Sequence, residues 1–116
     1  MGNERRRFIR FDVPLQVEYR VPGASHGANT RSDDFSRDGL KIAISGGIIT
    51  SDNLDLKITI PQDDDPIFAR AKVAWTKDGS FADKRCEAGL KFEKIANNDR
   101  SRILDYAYER WKNQAS

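Results

Sequence analysis

Apolar side chains in this chain recur at every second position, and that rhythm narrows the folds open to it. In "LDLKITIP", Leu54, Leu56, Ile58 and Ile60 fall on one side while Asp55, Lys57 and Thr59 fall on the other. Extended backbone sends successive side chains to opposite faces, so this segment reads as a strand with one buried face. The same holds for Leu15, Val17 and Tyr19, with Pro14 near the strand start, where a missing donor is tolerated. It holds again for Leu40, Ile42 and Ile44, for Ile67, Ala69, Ala71, Val73 and Trp75, and for Cys86, Ala88, Leu90 and Phe92. Gly46-Gly47, "QDDDP" and "KDGS" separate these runs as turns, and "PGASHGANTRSDD" reads as a polar loop. Short strands joined by turns predict an antiparallel sandwich or barrel.

The period changes after Ala96. Asn97 or Asn98 is expected to cap a helix, with Asp99 near the positive end of its dipole. Ile103, Leu104, Ala107, Tyr108 and Trp111 form one helical stripe. An isolated helix of this length is marginal in water, so the stripe, Tyr108 and Trp111 included, is expected to pack on the barrel. The chain thus reads as one all-β domain with a C-terminal helix: an arm over residues 1–12, a barrel over 13–96 and the helix over 97–116. Its 116 residues suit one core.

Charge is unevenly spread. The whole chain carries +2, yet Met1 to Arg10 holds four arginines against Glu4, a local net of +3. A general polyanion binder is therefore not expected, whereas an anion site built on the N-terminal arm is. Cys86 is the single cysteine, which excludes an internal disulfide and a cysteine-built zinc site. No apolar run approaches the roughly 18 residues of a membrane span, and no secretory leader is evident. A reducing cytoplasm is the expected location.

Two motifs carry the chemistry. Arg6 and Arg10 are the one pair in the arginine run with the spacing Arg-x-x-x-Arg, and "DFSRDG" gives Asp34-x-Ser36-x-x-Gly39 just before a strand. A guanidinium fork grips phosphate oxygens or the O6 and N7 acceptors of guanine, with a planar donor pair that lysine lacks. Ionised Asp34 only accepts, which suits N–H groups on guanine's Watson–Crick edge. Ser36 can donate to phosphate or tie down its own turn, and an Asx-turn would use the same residue types. Gly39 lets backbone approach a ligand or takes positive φ.

In this order, with a strand after each, the two motifs resemble those of the PilZ family of cyclic di-GMP receptors. The likeness extends to the "KVAW" strand, the "AGLKF" strand and the terminal helix. It implies a six-stranded antiparallel β-barrel with a C-terminal helix, no catalysis and no cofactor. The implied ligand is cyclic di-GMP, held by Arg6, Arg10, Asp34, Ser36 and Gly39. Family members take one nucleotide or an intercalated pair, so Arg5, directly before the motif, is a candidate contact to a second molecule. A monomer or a ligand-linked dimer follows. The resemblance also implies a bacterial cytoplasmic receptor that signals to a downstream protein partner.

Competing readings are weaker. A constitutive protein-interaction module needs neither motif, and both are present. A nucleic-acid-binding barrel would show interleaved exposed aromatics, which the pattern lacks, and nothing points to a membrane. Trp75 stays open between core packing, where alternation puts it, and stacking on guanine at the barrel mouth. His26 is the single histidine and has no positioned acidic partner, so the chain is expected not to be an enzyme. Asp63, Asp64 and Asp65 lack calcium-loop spacing and read as a charged turn rather than a metal site.

Overall fold

Strand β1, Gln16–Arg20, is hydrogen-bonded along both of its edges, and this closes the sheet on itself. The structure, a computed structural model, describes residues 11–45, 48, 50–78 and 85–115. The remaining strands are β2 Ala28–Phe35, β3 Gly39–Ser45, β4 Asn53–Thr59, β5 Ile67–Asp78 and β6 Arg85–Lys94, followed by helix α1, Asn97–Ala115. They form a closed barrel in the order β1-β2-β3-β6-β5-β4, antiparallel throughout. The expected six-stranded barrel with a C-terminal helix is therefore the fold.

Alternation fills the interior. Leu15, Val17, Leu40, Ile42, Ile44, Leu54, Leu56, Ile58, Ile67, Ala71, Val73, Ala88 and Leu90 are all buried. Phe35 and Phe92 meet inside with ring centroids 5.9 Å apart, tilted by 55°. Helix α1 contributes Ile103 and Ala107, both buried, so one narrow face of it joins the same core. Arg102 fastens the helix to the β4–β5 turn: its guanidinium donates to Asp63 at 2.8 Å and to Asp99 at 3.0 Å. The hydrogen bond from Arg102 holds the Asp63 carboxyl below its ordinary pKa. "QDDDP" is thus a charged turn, as expected, with Asp63 also accepting from the Asp65 amide at 3.0 Å.

Three expectations need correction, and the position of Trp75, left open by the sequence, is decided. The stretch read as a loop contains β2 as far as Asp34, and the one fully buried position in that part is Ser32. Ser32, only 2% exposed, takes a core position because its hydroxyl accepts from the Leu15 amide (2.9 Å) and donates to the Val13 carbonyl (2.7 Å). The helix cap is not an asparagine: the Arg100 amide donates to the Ala96 carbonyl, so Ala96 holds the N-cap position and both asparagines lie inside the first turn. Tyr108 and Trp111 are not buried against the barrel. They are 50% and 55% exposed and lie against each other, centroids 5.8 Å apart. Finally, Trp75 leaves the core face, because the β5–β6 register shifts between Val73 and Trp75. A bulge inserts one residue and turns everything after it to the opposite face.

Candidate functional site

The turn between β2 and β3 is built from its own motif residues. The Ser36 amide donates to the Gly39 carbonyl at 2.8 Å and the Gly39 amide returns a bond to Ser36 at 3.3 Å, leaving Arg37 and Asp38 at the tip. Ser36 is buried, and its hydroxyl accepts from the Asp38 amide at 3.2 Å. Of the two roles open to Ser36, tying down the turn is the one this geometry displays. Gly39 does not take the positive φ that was one of its two expected uses. Gly23 alone among the described glycines has positive φ. A Cβ on Gly39 would lie within 1.8 Å of the Leu90 carbonyl oxygen, so the residue is needed where β3 presses on β6. The Phe92 amide also donates to the Asp38 carbonyl at 2.9 Å, which pins the tip of the turn to the barrel wall.

Phe11 joins this turn from the N-terminal side. It forms an antiparallel bridge with Phe35: its amide donates to the Phe35 carbonyl at 2.7 Å, and the Phe35 amide donates back at 2.8 Å. Phe35 lies between Asp34 and Ser36, so the chain enters the barrel beside the second motif. Arg5, Arg6 and Arg10 lie outside the described residues.

From Asp34 the register defines a row across the outer wall. Asp34 pairs with Lys41 on β3, Lys41 with Gly89 on β6, and Gly89 with Trp75 on β5. Residues opposite one another in a ladder share a face, and strands are spaced by about 4.8 Å, so three steps carry this row about 14 Å around the barrel. The bulge that takes Trp75 out of the core lays its indole over Gly89. A Cβ built there would meet indole Nε1 at 2.1 Å. Trp75 remains 41% exposed. Lys41 Nζ lies 3.6 Å from a Glu87 carboxylate oxygen, an ion pair too long for a hydrogen bond.

Sequence reasoning named Asp34, Ser36, Gly39 and Trp75 but missed Lys41, Glu87 and Gly89. Gly89 carried a signal, since glycine inside a strand marks a close approach. Lys41 and Glu87 carried none beyond facing outward. The row offers a carboxylate acceptor, a cation and an aromatic face on one open wall. That set suits a ligand with N–H edges, anionic groups and flat rings. A separate recess of about 730 Å³ lies over β1, β2 and β4 among Gln16, Glu18, Arg31 and Lys57, and it includes none of these residues. Among the described residues no acidic, histidine or cysteine group is arranged to hold a metal ion, and no helix is long and apolar enough to cross a membrane.

The PilZ domain family model matches residues 4–109. Among solved structures, the Bacillus subtilis inhibitor of motility (MotI/DgrA) superposes with a TM-score of 0.77 at 22% identity, over 96% of this chain and 53% of that one. The PilZ domain of YcgR from Escherichia coli, solved with c-di-GMP, gives 0.74 at 12% identity, covering 96% and 97% of the two chains. The MrkH–c-di-GMP complex from K. pneumonia gives 0.68 at 14% identity, covering 93% and 55%. At these identities the likeness is one of fold. The chain spans about half the length of the first and third of these proteins. No curated protein matches it.

Proposed function

The chain belongs to the PilZ domain family, and from that premise we propose that it is a receptor for cyclic di-GMP. Two of the neighbours above were solved with this nucleotide. Arg6 and Arg10 close over the ligand from the segment before Phe11, while Asp34 accepts from a guanine N–H edge and Trp75 offers its ring for stacking. Ser36 and Gly39 hold the turn that presents Asp34. Arg5 reaches a second nucleotide where an intercalated pair binds.

The observation that supports this reading is the Phe11–Phe35 bridge. It brings Phe11, the residue after Arg10, into backbone contact with Phe35, the residue after Asp34, which supports a site shared by the two motifs. Residues 1–12 then act as an arm, 13–96 as the barrel and 97–116 as the helix. Binding orders the part of the arm before Phe11 against the outer wall and changes the surface that a protein partner in the cytoplasm reads. Catalysis plays no part.

Isothermal titration with cyclic di-GMP, beside cyclic di-AMP as the guanine-free control, tests the proposal. Charge-assisted hydrogen bonds contribute roughly 1.5–3 kcal/mol each. Arg6→Ala or Arg10→Ala should therefore weaken binding at least about tenfold. Equal affinity for the two nucleotides, or unchanged titrations of both variants, would overturn it.

A further inference from the structure

Resting on the reading above, we propose that Lys41 is a phosphate-binding residue of the same site, and that Glu87 occupies its ammonium group until the nucleotide displaces it. Any ligand that touches both Asp34 and Trp75 lies across the two positions between them. One is Gly89, covered by the indole, and the other is Lys41. Lys41 therefore meets the middle of the ligand, where a cyclic dinucleotide carries its phosphates between the two guanines.

The present partner of Lys41 is suited to being given up. Its contact with Glu87 is 3.6 Å, beyond hydrogen-bonding range, and both side chains are about one-third exposed. Pairs of this kind contribute little. A phosphate oxygen at hydrogen-bonding distance is a stronger partner for the same ammonium. Glu87 is not stranded by the exchange, because Lys77 stands directly opposite it on β5. On its other side stands Ala43, which leaves the Lys41 stem room to swing. Glu87 thus acts as a built-in competitor that lowers the affinity of the empty site.

Four proteins titrated with cyclic di-GMP in low salt test this: wild type, Lys41→Ala, Glu87→Gln and the double variant, each checked by thermal melting. Lys41→Ala should bind about tenfold more weakly. Glu87→Gln should bind roughly two- to fivefold more tightly, a gain that a merely structural glutamate would not give. In the Lys41→Ala background the gain should fall by at least half, since the competitor acts through Lys41. Lys41→Ala binding as wild type does, Glu87→Gln failing to tighten binding, or an undiminished gain in the double variant would overturn the inference. A wild-type protein that gives no binding heat would instead bring down the receptor reading, and this inference with it.

Discussion

Gly89→Ala tests the outer wall most sharply, because one methyl group is directed at one ring. In the folded chain that methyl carbon would lie 2.1 Å from indole Nε1, 2.3 Å from Cε2 and 2.8 Å from Cζ2 of Trp75. Ordinary contact begins near 3.5 Å, so the indole has to lift or swing by about 1.4 Å, and three ring atoms share the clash. The ring is 41% exposed and can move outward, so the barrel should survive with only a small loss of stability. The stacking position proposed for it is what should disappear. A base stacked on an aromatic ring contributes about 1–3 kcal/mol, which corresponds to about a 5- to 150-fold rise in Kd. Calorimetric titration with cyclic di-GMP measures this, with Trp75→Ala and the Gly89→Ala/Trp75→Ala pair as companions. If the glycine acts through the indole, the double variant should bind no more weakly than Trp75→Ala alone. A folded Gly89→Ala protein of wild-type affinity would refute the assignment of Trp75 to the site.

Two further expectations concern stability. Ser32→Ala leaves the Leu15 amide and the Val13 carbonyl without their buried partner, at about 2–4 kcal/mol in total. Melting should fall on the order of 10 °C, and an unchanged midpoint would show that the hydroxyl is dispensable. Asp63 has a lowered pKa, so its contribution is present above the unfolded value of about 3.9 and is lost as pH falls through the folded one. The stability gap between wild type and Arg102→Met should therefore be widest near neutrality and shrink below about pH 4. Urea melts that show a constant gap across that range would exclude the link.

Much of the barrel was legible because period-two burial needs only the order of residues. Leu54, Leu56, Ile58 and Ile60 declare β4 without reference to any partner. Strand β2 was hidden for the opposite reason: Ala28–Phe35 has little apolar content and is held by pairing on both edges and by buried Ser32, all non-local facts. The exit of Trp75 from the core depends on a register shift against β6, which no pattern within β5 encodes. On the helix, full burial reaches Ala107 among the described side chains, and Tyr108 and Trp111 continue the apolar stripe half exposed. The second motif was legible as a motif, but the work of Gly39 becomes visible only with Leu90 beside it.

Circular closure of the wall has a consequence for recognition. A sheet with a first and a last strand can recruit a stranger by lending it backbone amides and carbonyls along a raw margin. Here β1 is taken up by β2 on one flank and β4 on the other. Along β1, therefore, no added strand finds a free margin, and recognition of that part of the wall has to rest on side chains and shape.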